Sequence, residues 1–306
     1  MVALAIVAIV AYMTLESRGM WEFVLPFRGR KIAAIIIVGY AIAVSTVLFQ
    51  TITNNRILTP SIMGFDALYM LIQTIIVYLF GSSRLLMLDP QQRFAMEVFV
   101  MVVFSSALYF WLFVKAERSL HLLVLVGIIF GTMFRSITNF LQRLIDPNEF
   151  VVLQDAGFAS FSAIDQTLLW VAAGVIVAIS LVIIRMLPMF DVLTLGREMA
   201  IGLGVNYRRV ITVTLVLVTA LVSVSTALVG PITFFGLLVA NLGYMLIGSA
   251  KHRWTIPAAA LLAIIALVGG QTLLERVFSF NSTLSIIIEF FGGVMFIVLL
   301  IRGSVR

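Results

Sequence analysis

Long apolar runs recur from one end of this 306-residue chain to the other, and no other feature restricts its fold so severely. A helix needs about 20 apolar residues to cross a hydrocarbon layer roughly 30 Å thick, and within that layer every backbone N–H and C=O must find its partner inside the chain. Ten segments answer this description, at approximately 2–14, 32–52, 62–80, 94–114, 120–138, 168–187, 210–229, 232–248, 256–274 and 283–301. The expected fold class is an all-α integral membrane protein of about ten transmembrane helices. Composition agrees, since 62% of residues are hydrophobic and 11% charged, whereas a soluble domain carries about 25% charged residues. No polar block separates the runs, so one membrane domain is expected over residues 1–306. The first run lacks a basic start and a small-residue cleavage site before Glu16, and reads as a helix rather than a signal peptide. Two connections, 139–166 and 188–208, are long enough to hold short helices outside the bilayer.

The net charge of +6 does not point to nucleic acid, because Lys and Arg stand singly or in small groups at the ends of apolar runs. An even number of crossings puts both termini on one side. With cytoplasmic termini, eleven basic residues lie inside against nine outside, and the loop charges come to about +8 inside and +1 outside. Four of the nine outer basic residues crowd into 18–31, which either contradicts this topology or gives that loop a task of its own.

Several chemistries lack their residues. There is no cysteine, and hence no disulfide framework or thiolate site. The sequence contains no Gly-x-x-x-x-Gly-Lys-Ser/Thr phosphate loop and no Gly-x-Ser-x-Gly elbow, so neither ATP binding by that motif nor serine hydrolysis is supported. His121 and His252 stand at predicted membrane ends and read as interfacial residues; no metal or cofactor is expected. Ionisable groups inside lipid need a reason. Glu289 lies well within the last segment and must face protein or water, as a pathway residue, a grip on a partner helix, or an interhelical hydrogen bond. Asp66, Glu97 and Arg135 lie nearer segment ends, where snorkelling suffices. Glu289 or Asp66 would also serve a proton-coupled secondary transporter, the rival to any ATP-driven reading.

The most distinctive local feature is the polar insert 188–209. Pro188 is expected to stop one helix, and Gly196 and Gly204 to allow tight turns around a projecting pair of short helices. Leu195-Gly196 and Ala200-Ile-Gly-Leu203-Gly204 here resemble the Leu-Gly and Ala-x-x-Leu-Gly of the iron-siderophore and cobalamin permease family (FecCD-type) of type II ABC importers. Gly230-Pro-Ile-Thr-Phe-Phe-Gly236, His252-Arg253 with Pro257, Arg28-Gly-Arg30-Lys31, Ala41-Ile-Ala-Val-Ser45 with Gln50, and Asn54 to Gly64 match further family motifs in order. Departures fall at Ala240-Asn241-Leu-Gly-Tyr244, at Gln271 and at Thr283-Leu-Ser285, and look more like the siderophore permeases that pair with a different permease chain than like the cobalamin type.

The resemblance implies a non-catalytic permease subunit in a bacterial cytoplasmic membrane, working with a second permease chain, a paralogue in preference to an identical copy. Two ATPase subunits would stand below it and an extracytoplasmic substrate-binding protein above, with a ferric siderophore, catecholate type favoured, as cargo. It makes 188–208 a cytoplasmic coupling loop, with Leu195, Gly196, Arg197, Glu198, Ala200, Leu203 and Gly204 meeting the ATPase. Arg28, Arg30, Lys31 and Arg276 become docking residues for acidic groups of the binding protein, which gives the crowded outer loop its task. Glu289, Gln50, Asn241 and Asp66 are the pathway or intersubunit candidates.

Overall fold

A computed structural model describes residues 1–15, 21–81, 89–109, 120–162, 164–249, 251–278 and 283–301. All regular structure among these is helical: α1 (Val2–Thr14), α2 (Trp21–Thr53), α3 (Phe65–Phe80), α4 (Pro90–Tyr109), α5 (Leu120–Gln142), α6 (Pro147–Ala156), α7 (Gln166–Leu193), α8 (Arg197–Gly202), α9 (Tyr207–Val229), α10 (Phe235–Ile247), α11 (His252–Arg276) and α12 (Leu284–Ile301). A short 3-10 turn, Pro60–Met63, precedes α3. Every expected span coincides with one of these helices, and α6 and α8 fall in the two long connections. Residues 110–114 of the fourth span lie outside the described residues, as do Glu16, Arg18, Lys115, Glu117, Arg118, Arg302 and Arg306 of the charge census.

The boundaries differ where charge and proline had been taken as helix ends. α2 starts at Trp21 and carries Glu22, Arg28, Arg30 and Lys31 within its helical length. Hydropathy reports where lipid is, whereas a helix can run on past the hydrocarbon with its charges solvated or paired. α7 continues through Pro188 to Leu193. A proline in a helix removes one N–H···O bond and crowds one carbonyl, a loss that a long membrane helix tolerates when its neighbours hold it. The insert therefore contains one separate short helix, α8, rather than two.

α2 is the central post. Ala34, Ile35, Val38, Ala41, Val44, Val47 and Leu48 are fully buried, and α7, α9, α10 and α11 pack around it. Small residues permit close approach, as where Gly39 of α2 faces Leu267 and Ala263 of α11. α3 and the turn before it pack on α5 through a close glycine–glycine contact. Gly64 has φ +89°, and a Cβ there would stand 2.6 Å from the Cα of Gly131, so both its conformation and its space demand glycine. α4 joins the same layer through edge-on contacts of Phe104 with Phe130 and Phe134. Two ends of the bundle result. α8, the last turns of α2 and α7, and the first turns of α9 and α11 form the elbow end, and the last turns of α1 and α11 lie with α6 at the far end.

Candidate functional site

Three groups of residues singled out by the sequence occupy three levels of the bundle. At the elbow end, Thr194 caps the departing α7 by donating to the Asp191 carbonyl at 2.7 Å. Gly196, at φ +95°, turns the chain into α8, and Gly204, at φ +84°, turns it out again. The Val205 N–H returns to the Ala200 carbonyl at 3.0 Å, and the Asn206 side chain accepts from the Arg209 N–H at 3.1 Å to start α9. Ala200 is completely buried, whereas Leu195 (54%), Met199 (63%) and Leu203 (63%) are exposed. Large apolar side chains standing out on a closed turn form a surface suited to a protein partner. Arg197 and Glu198 flank them, with the Arg197 guanidinium 5.8 Å from the centre of the Tyr207 ring.

In the middle level, Gln50 and Asn241 meet on one atom. Gln50 Nε2 donates to the Arg56 carbonyl at 2.7 Å, and Asn241 Nδ2 donates to the same oxygen at 3.1 Å and to Leu237 O at 2.8 Å. They hold the start of segment 54–64, which is exposed over 54–57 and turns inward from Thr59, with Thr59, Pro60 and Met63 buried. Asp66 and Glu289, from opposite halves of the chain, converge on Thr233. The Thr233 hydroxyl lies 3.4 Å from Asp66 Oδ2, and Glu289 and Ser61 stand close by. Phe234, next in the chain, has φ +52° and is half exposed. A bulky residue in that conformation is strained, and such strain persists where the surroundings enforce it. Beside these carboxylates is a polar hole of about 20 Å³ lined by Ser45, Thr46, Ser61, Asp66, Ser225 and Thr226, room for one water molecule.

At the far end, the basic cluster is largely engaged within the chain. Arg28 Nη1 donates to the carbonyls of Tyr12, Met13 and Leu15 at 2.8, 3.1 and 2.8 Å, and Arg276 Nη2 donates to Leu15 O at 2.8 Å, so both cap the end of α1. Lys31 is 4% exposed, with its ammonium 2.8 Å from Glu275 Oε1, an oxygen that also accepts from Tyr12 and Gln271. Its ammonium is thus met within the chain by Glu275. Arg30 stays exposed and bonds Pro26 O at 3.2 Å.

Sequence reasoning missed three further contacts. His252, taken as interfacial, is 2% exposed and bonded through both ring nitrogens, to Asp191 and Thr51. Glu97, expected to snorkel, is buried among Arg93 and Gln73. Thr233 carried no signal beyond its place in a motif. Arg135 is exposed, and the His121 side chain lies outside the described residues.

A helical membrane bundle with an inturned polar segment at its centre and an apolar elbow at one end defines a permease-class protein. The chain belongs to the FecCD transport family, whose profile matches residues 2–302. It is 50% identical over 304 residues to the petrobactin import system permease protein YclO of Bacillus subtilis, covering 99% of this chain and 96% of that one. It is 39% identical to the petrobactin import system permease protein FatC of Bacillus anthracis, over 89% of this chain and 77% of the relative. A solved inward-facing metal-chelate type ABC transporter has the same fold, with a TM-score of 0.86 at 20% identity, covering 98% of this chain and 97% of that one.

Proposed function

We propose that this chain is the membrane-spanning permease subunit of an ABC importer for ferric siderophores, of which petrobactin is the first candidate. The near end-to-end similarity to the petrobactin permease of Bacillus subtilis carries the reading. The fold supplies a passive conduit, and ATP hydrolysis belongs to a separate ATPase. The single domain spans 1–306, both termini are cytoplasmic, and the elbow within 188–208 seats in the ATPase through Leu195, Met199 and Leu203, whose exposure supports that role. Leu195, Gly196, Arg197, Glu198, Ala200, Leu203 and Gly204 shape this contact, with Ala200 packing inward.

The second permease chain is a paralogue. Supporting this, FatC and FatD of Bacillus anthracis carry the same petrobactin import name, and this chain is 39% identical to the first and 24% to the second. An extracytoplasmic binding protein delivers the cargo and meets Arg30, with Arg28 and Arg276 beside it. Asp66, Glu289, Gln50 and Asn241 line or shape the polar route through the bundle.

The test is reconstitution with a paralogous permease, the ATPase and the binding protein. ATP hydrolysis stimulated by the loaded binding protein, together with iron uptake, supports the proposal. Iron uptake by this chain without an ATPase, driven by a proton gradient, overturns it in favour of coupling through Asp66 or Glu289.

A further inference from the structure

His252 joins three elements, α2, α7 and α11, at the elbow end. Its Nδ1 lies 2.7 Å from Asp191 Oδ1, and its backbone N–H donates to that same oxygen at 2.8 Å. Its Nε2 lies 2.7 Å from the Thr51 hydroxyl. Asp191 Oδ1 accepts, so Nδ1 carries a hydrogen, and the Thr51 hydroxyl, also 2.8 Å from the Val47 carbonyl, has one hydrogen to share between that oxygen and Nε2. Phe190 packs against the imidazole with ring centres 5.8 Å apart. Asp191 stands in the last turn of α7, directly before the elbow; His252 opens α11; Thr51 is in the last turn of α2.

The contacts continue inward from Thr51. Tyr244 lies close to it, and the Arg56 guanidinium stacks on the Tyr244 ring at 4.8 Å. Gln50, Thr51's neighbour in α2, and Asn241 grip the Arg56 carbonyl. Segment 54–64 then ends at Gly64, locked against Gly131 and two residues before Asp66. Short hydrogen bonds made by a buried imidazole resist separation, whereas purely apolar helix contacts can slide.

We propose that His252 is a positioning residue that ties the elbow to the inturned segment 54–64, so that displacement of the elbow reaches the polar route. The inference rests on the permease reading. A histidine that merely satisfied its neighbours' hydrogen bonds would affect assembly and stability but not the number of iron complexes moved per ATP.

The experiment uses the full complex in liposomes, with ferric petrobactin as the probe and iron imported per ATP hydrolysed as the readout. His252→Phe and Thr51→Val, which keep volume and remove the hydrogen bonds, are each expected to lower that ratio about tenfold, within the usual range of coupling between sites. The double variant should be no worse than the more affected single one, as for residues acting through one link. An unchanged ratio in assembled Thr51→Val complexes overturns the inference, even if His252→Phe fails to assemble. So do losses that multiply in the double variant. A wild-type complex that hydrolyses ATP without importing iron removes the permease reading, and the link with it.

Discussion

Lys31 of α2 and Glu275 of α11 form a buried ion pair, 2.8 Å apart, at the end of the bundle where a docking charge had been expected. Tyr12 and Gln271 donate to the same carboxylate oxygen, so the pair ties α1, α2 and α11 together. Removing one member strands the other in a poorly solvated site. Lys31→Met should therefore destabilise the protein by about 3 kcal/mol, and Lys31→Met with Glu275→Met should recover most of that. Thermal unfolding in detergent measures both, and equal stability of Lys31→Met and wild type would contradict the structural role.

Arg30, by contrast, faces outward. Arg30→Glu is expected to slow association with the binding protein severalfold at low ionic strength, with the difference shrinking as salt is added, because exposed charges act over about 10 Å at 0.1 M salt. Binding kinetics at two salt concentrations test this. A salt-independent effect, or none, removes Arg30 from the docking surface.

The α3–α5 contact has no room for a side chain. Gly64→Ala combines a left-handed backbone with a Cβ 2.6 Å from Gly131 Cα, and overpacking of this kind costs about 1–3 kcal/mol. Gly131→Ala meets the Gly64 backbone from the other side at 2.9 Å and should behave alike. Melting temperatures of the purified variants report the loss; no change in either would mean that the helices separate freely.

On the elbow, position decides the outcome. Leu203→Asp and Met199→Asp place charge on exposed apolar positions and should reduce co-purification of the ATPase while leaving the permease folded. Ala200→Asp buries an unpaired carboxylate inside the elbow and should lower the yield of folded protein itself. Full ATPase recovery with both exposed variants would move the contact elsewhere.

Glu289 stands close to Thr233, whose hydroxyl meets Asp66, a setting that a neutral amide can still serve. Glu289→Gln should retain most ATP-driven uptake. Loss of uptake with assembly and hydrolysis intact would instead assign the carboxylate a charge-dependent task.

The helices were legible because the bilayer imposes one length and one composition on each crossing, so α7 and α9 could be found by counting apolar residues. Their ends were less so. Charges in α2 remain helical from Trp21 because pairing, not exclusion, accommodates Lys31, and Pro188 sits inside a helix that its neighbours support. The elbow glycines announced themselves through local turn chemistry. The polar contacts did not, since Thr51, Asp191 and His252 are distant in sequence and each alone resembles an ordinary residue at a helix end. Thr233 shows the same limit, because only the folded chain brings Asp66 and Glu289 to it.

The central claim is that a separate ATPase powers this conduit. Iron accumulation in liposomes containing the permease pair and ATPase, with loaded binding protein and ATP supplied on the appropriate sides, tests it most directly when a protonophore is added. Uptake that requires ATP and persists after the proton gradient is collapsed is the predicted result. Uptake abolished by the protonophore and indifferent to ATP would contradict the account.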